Sequence, residues 1–237
     1  FSILMGYNYS YKNKANFINS SSSTNISENN ITLIELITDF NDTISVHFGN
    51  HLKKVCDYNK FPLKEIDMNE WNSQFYKITP TTKVIVVQNT LKLNDDTIEK
   101  LLNFVSQGGV LFVPNFIEDE RMAYFYGLKK DGNRDLVHNP VGYFFNTNYL
   151  PNVKGTSYGE HIYHGGLDKF NFKDDVTVLA SAKNDKNYPT IIENKIGIGK
   201  VILFNTYEII KKQDRGLLHS ALLKGLEGIP YPIANVS

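Results

Sequence analysis

Residues 83–116, KVIVVQNTLKLNDDTIEKLLNFVSQGGVLFVPNF, restrict the fold more than any other stretch of the chain. Val84, Ile85, Val86 and Val87 form an unbroken β-branched run, which suits a strand covered by helices on both faces rather than one with a wet face. Asn94, Asp95 and Asp96 then offer side-chain oxygens and negative charge to the free amides of a helix start. Ile98, Leu101, Leu102 and Val105 follow at i, i+3, i+4 and i+7 and make one apolar stripe. Gly108 and Gly109 can adopt the left-handed backbone that ends a helix, and Val110–Val113 supplies the next buried strand. The unit is strand, helix, strand, and the chirality of such crossovers makes it right-handed. The chain is therefore built on a parallel α/β sheet.

The same pattern extends in both directions. Residues 31–38 read as a first strand and 43–58 as a helix whose Ile44, Phe48, His51, Leu52 and Val55 share a face. A short second strand over 63–66 precedes a capped turn at 69–71. On the far side, a helix over 118–126 ends at Gly127. Residues 129–172, rich in Gly, Asn, Tyr and Phe with only short apolar runs, read as a β-rich insertion or antiparallel extension. A strand over 175–182 follows, then two strands within 189–205 joined by Gly197, Ile198 and Gly199. That Gly-x-Gly lacks a third glycine and leads into a strand, so it predicts a tight hairpin turn and not a phosphate loop. A helix over 214–226 closes the fold with Leu217, Leu218, Ala221, Leu222 and Leu226 facing in. The expected class is α/β: a flavodoxin-like three-layer sandwich with a mostly parallel sheet, a β-rich insertion and a C-terminal hairpin.

Charge and cysteine content narrow the function classes. The 237 residues carry 25 basic and 25 acidic side chains, so no whole-chain field attracts phosphate backbones, and nucleic acid is not an expected partner. The single cysteine, Cys56, excludes an internal disulfide and a zinc ribbon. Its position beside Val55 in the first helix predicts a buried structural thiol. Residues 1–5 are apolar and 6–30 are polar. They read as the trailing edge of an export signal or anchor joined to a flexible spacer, which predicts an exported protein, periplasmic or at the cell surface. The apolar scrap falls far short of the ~20 residues needed to span a bilayer, so the folded domain is not expected to insert directly into a membrane. Residues 229–237, with their Ile-Pro-Tyr-Pro run, suit a linker to a downstream domain, leaving 31–228 as the folded unit.

Three groups of residues are candidates for chemistry or binding. Asn89, Asn115 and Asn205 fall at strand ends and would converge on the carboxyl edge of the sheet, where open α/β folds bind ligands. Their amides suit sugar hydroxyls, and equally serve as turn and cap residues. Glu160, His161, His164 and Asp168 form the most metal-like cluster, with a His-x-x-His spacing that a helix would place on one face. Gly159, Gly165 and Gly166 argue that this segment is a loop, with histidines that serve surface hydrogen bonds. His47 and His51, four apart on the first helix, also have ligand spacing, but no third ligand lies near them in sequence. No cofactor is expected. Tyr and Phe residues crowd the middle region, where they could stack on sugar rings or fill an interface with a neighbouring domain.

The order of elements, together with residues 105–115 and 197–206, resembles the class I glutamine-amidotransferase-like superfamily. It is most similar to the non-catalytic members found beside carbohydrate-active domains. The resemblance covers roughly residues 31–228. An active member would carry a cysteine on a sharp elbow directly after Val110–Val113, and later a His-x-Glu pair. Here the elbow position holds Pro114, Asn115 and Phe116, and His-x-Glu does not occur in the sequence. The resemblance therefore implies no glutamine hydrolysis. Residues 229–237 further resemble the junction in a bacterial exported family where such a domain precedes a polysaccharide-deacetylase-like domain. This implies an accessory domain that packs on the downstream domain of the same chain and binds polysaccharide. A metal-dependent hydrolase centred on Glu160–Asp168, or a structural or oligomerising module, are the alternatives.

Overall fold

The computed structural model describes residues 32–88, 92–129, 135–136, 140–148, 154–164, 168–169, 171–206 and 215–227. The expectations for residues 1–30 and 229–237 lie outside them.

The first half alternates strand and helix: β1 (Ile34–Thr38), α1 (Thr43–Asn59), β2 (Leu63–Asp67), α2 (Met68–Trp71), β3 (Val84–Val87), α3 (Asp95–Ser106) and β4 (Val110–Val113). A 3-10 turn at Glu120–Met122 runs into α4 (Ala123–Tyr126). Then follow β5 (Asp135–Leu136), β6 (Val141–Phe145), β7 (Ser157–Tyr163), β8 (Asp168–Lys169), β9 (Thr177–Ser181), β10 (Pro189–Ile196), β11 (Gly199–Phe204) and α5 (Arg215–Gly225). The main sheet has the order β2-β1-β3-β4-β11-β10-β9-β6-β7. Its first five strands are parallel, in the flavodoxin-like order, and every later pairing is antiparallel.

The parallel half is buried on both sides. Alternate strand residues Val84, Val86, Val110, Phe112, Ile202 and Phe204 pack with α1 and α5, while Ile85, Val87, Leu111, Val113, Val201 and Leu203 pack with α2, α3 and α4. This is why those strands read as uninterrupted apolar runs. The caps follow side-chain chemistry. Asp42 accepts from Ile44 N at the start of α1, and Asn94 accepts from Thr97 N at the start of α3.

Three local expectations are corrected. Ile44 is not on the buried face of α1: it sits in the first turn, beyond the sheet edge, and is 60% exposed. The helix expected over 118–126 begins only at Glu120, because the Asp119 side chain caps Arg121 N and pairs with the same residue's guanidinium. The His-x-x-His segment starts as strand and not as loop: Gly159, Glu160 and His161 belong to the seven-residue β7, paired with β6, and His164 follows its end. Gly142 (φ 59°) and Gly159 (φ 65°) absorb the irregular register there, as left-handed residues that glycine adopts without strain.

Between β4 and β9 the chain leaves and returns at one neck. Leu128 bridges Phe172, and Lys129 N donates to Asn171 O at 2.9 Å. Instead of forming a separate lobe, β6 and β7 join the main sheet through β9. The Gly197–Ile198 turn closes the β10–β11 hairpin against the end of α3. A Cβ on Gly197 would meet Ser106 O at 2.3 Å, and one on Gly199 would meet Val105 O at 2.0 Å. Close backbone approach, not phosphate binding, accounts for both glycines.

Candidate functional site at the carboxyl edge

In the strand order, β1 lies between β2 and β3, and the chain leaves β1 through α1 on one face and β3 through α3 on the other. The β1/β3 boundary is therefore the switch point, outside whose carboxyl ends open α/β sheets form a crevice. Four side chains meet here. Asp39 follows β1 and is buried; its Oδ1 accepts from Asn41 N at 3.0 Å, and its Oδ2 is ion-paired with Lys92. Ser45 Oγ, in the first turns of α1, accepts from Asp39 N at 2.9 Å and from Gln88 Nε2 at 2.8 Å. Gln88 also donates to Ser45 O at 3.1 Å. The hydrogen bond from Lys92 holds the Asp39 carboxyl below its ordinary range, against the opposing effect of burial. The same bond pushes the Lys92 ammonium up. Phe40, beside Asp39, is 50% exposed.

A second polar group lies two strands away. Val113 pairs with Leu203, so Asn115 and Asn205 stand on adjacent strands two residues further on. Phe116 N donates to Thr206 O at 2.6 Å just beyond them. Asn205 is fully buried: its Nδ2 donates to Pro189 O at 2.8 Å, and its carbonyl accepts from Tyr188 Oη at 3.3 Å. The structure thus brings two of the three asparagines together, while Asn89 lies outside the described residues.

Gln88 Oε1, Asn115 Oδ1, Asn205 Oδ1 and Thr190 Oγ1 are all buried without a hydrogen-bond partner among the described residues. A buried acceptor left unpaired costs about 1–3 kcal/mol. All four atoms are shielded from solvent as well as unpaired. Asp39, Ser45, Gln88 and Lys92 did not stand out in the sequence. The signal available was the polar residue ending each apolar run, Asp39 after β1 and Gln88 after β3.

The amidotransferase elbow position carries buried Pro114 and Phe116 around half-buried Asn115. Cys56 is buried in α1, where burial pushes its thiol up to about 12. Of the metal-like cluster, Glu160 and His161 lie on β7 and Asp168 on β8, with side chains outside the described part. His164 is fully buried rather than on the surface. Its Nε2 lies 2.8 Å from Gly142 O, to which it donates, and its ring packs edge-on against Tyr143. Among the described residues no three His, Cys, Asp or Glu side chains cluster as metal ligands.

No family model matches the sequence, and no curated protein does so either. Solved structures do resemble the fold. A β-galactosidase from Bacillus circulans sp. alkalophilus superposes with a TM-score of 0.59 at 15% identity, over 83% of this chain and 31% of that one. A ThuA-like protein from Bacteroides uniformis gives 0.57 at 14% identity, over 87% and 96%. A cytoplasmic protein from Salmonella typhimurium gives 0.56 at 15% identity, over 82% and 98%. The chain thus spans about a third of the β-galactosidase and nearly the whole of the two smaller proteins. At these identities the likeness is one of fold. The chain is a flavodoxin-like α/β sandwich, and its neighbours are compatible with a glutamine-amidotransferase-like fold.

Proposed function

We propose that this domain is a non-enzymatic accessory unit of an exported, carbohydrate-active bacterial protein, and that the carboxyl edge of its sheet holds glycan. The observation that carries the reading is the set of buried acceptors at that edge, on Gln88, Asn115, Asn205 and Thr190, that have no hydrogen-bond partner among the described residues. If these side chains turn toward a seated glycan, its hydroxyls supply the donors they lack, and exposed Phe40 offers a ring face beside the switch point. The Asp39 carboxylate neutralises Lys92, which favours a neutral ligand over an anionic one. Two kinds of glycosidase carry this fold over about a third of their length, the β-galactosidase above and an α-L-fucosidase from Paenibacillus thiaminolyticus. That share is consistent with an accessory role beside a separate catalytic unit. The absence of a nucleophile from the elbow and the high thiol pKa of Cys56 support the non-enzymatic half of the reading. The finer part, export and packing on a downstream polysaccharide-deacetylase-like domain, rests on the sequence resemblance at residues 229–237.

The test is a thermal-shift screen against neutral oligosaccharides, since any ligand that binds only the folded state raises the melting point by mass action. A saturable shift is expected, reduced at least tenfold in apparent affinity by Gln88→Ala and by Phe40→Ala. Absence of a saturable shift across the panel, or a shift indifferent to both substitutions, overturns the glycan reading.

A further inference from the structure

His47 and His51 lie one turn apart in α1, and the fold turns their spacing into a contact. The Nε2 atoms are 2.9 Å apart, and the rings meet edge to face with centroids 4.4 Å apart. His51 is buried and His47 exposed, so one ring is fixed by packing and the other opens the pair to solvent. Both sit inside a 17-residue helix, away from its frayed ends.

Imidazole nitrogens bind a first-row divalent ion at ~2.0–2.1 Å. Two of them in adjacent positions of a tetragonal ion are then about 2.9 Å apart, and about 3.3 Å apart on a tetrahedral one. The observed separation matches the tetragonal case. From this geometry we propose that His47 and His51 form a two-histidine chelate for a tetragonal divalent metal of the Cu(II) or Ni(II) class. Without metal, one ring donates through Nε2 and the other accepts. On loading, the donating ring changes tautomer, its proton passing through solvent to Nδ1, so that both Nε2 lone pairs face the ion. No net proton is released where both rings start neutral. No third His, Cys, Asp or Glu completes a cluster among the described residues. The remaining coordination positions are therefore left to water or to a small exogenous ligand, as in an open site and not a structural one.

The experiment uses the full chain without a polyhistidine tag, titrated with Cu(II) by calorimetry and examined by electron paramagnetic resonance. One ion per chain is expected, in an axial signal with nitrogen hyperfine structure. Protons compete with the metal for the imidazoles, so binding should weaken on acidification. His47→Ala removes an exposed side chain, so the metal-free protein still folds, with a melting point lowered only by the loss of the hydrogen bond to His51. Affinity falls about 100-fold, because the second contact of a chelate is intramolecular. Binding unaffected by His47→Ala overturns the proposal and places the ion on other histidines. Failure to saturate also overturns it, as does one ion per two chains with dimerisation, which assigns the metal to a contact between copies.

Discussion

The parallel and antiparallel halves of the sheet obey different sequence rules. In β3 and β4 every residue is buried, because helices cover both faces. Neither strand carries a polar residue, whereas β1, buried throughout, accommodates Glu35 by giving its carboxylate hydrogen bonds from Tyr76 Oη, Thr79 N and Thr82 Oγ1. In β6 and β9 buried and partly exposed residues mix, and Gly142 breaks even the alternation. Strand β10 carries Glu193 and Asn194 into the core, where Asn194 Nδ2 donates to Phe125 O at 2.9 Å and Glu193 faces Lys200 at 3.4 Å. Polar residues there meet the loose ends of α4 and the charge of β11. Layering, more than strand pairing, decides how plainly a strand is written in its sequence.

The largest expected effect tests that contrast directly. Phe112→Ala, between β3 and β11 and against Phe204, is expected to cost about 4 kcal/mol in chemical denaturation. Tyr143→Ala in β6 should cost at least about 1 kcal/mol less, because the looser half can relax around the cavity. Equal losses would break the comparison. Next comes the seam between the halves. Gly199→Ala should cost about 3 kcal/mol, since the added Cβ would press on the backbone carbonyls of Val105 and Gly109. Gly155→Ala, with φ at +82° but open space around it, should cost only about 1 kcal/mol of backbone strain. A mild Gly199→Ala would mean that α3 and β11 can slide apart. The smallest effect is at the switch point. Asp39 has its carboxyl lowered from 3.8, so it stabilises the fold above that pH, and the contribution disappears as the pH drops through the lowered value. Asp39→Asn should therefore lower the melting point at neutral pH and converge with the parent in strong acid. Parallel curves at all pH values would remove Lys92 as the cause.

Legibility follows the same division. The run of Val84–Val87, the Asn94 cap and the α3 stripe were readable because each is a local pattern with one physical solution. Asn115 and Asn205 were readable as lying past strand ends because Asn205 directly follows β11 and Asn115 comes two residues after β4. The Asp39–Ser45–Gln88–Lys92 group was not, since it exists only when β1 and β3 are neighbours, and strand order is not a local property. β7 was misread for the opposite reason. Gly159 suggests a loop in sequence, whereas in space it and Gly142 of β6 let an irregular pair of strands stay together.

Strand β11 completes the parallel half, yet it follows its neighbour β4 by about ninety residues, as the pairing of Val110 with Lys200 records. During synthesis, everything from the elbow to the β10 hairpin emerges while one flank of β4 still lacks its partner. That flank is an apolar strand edge of the kind that recruits other chains. Fragments that stop short of Gly199 should therefore accumulate as aggregates. The yield of folded protein should depend on how soon the last hairpin reaches the ribosome exit, more than on the strength of any one contact.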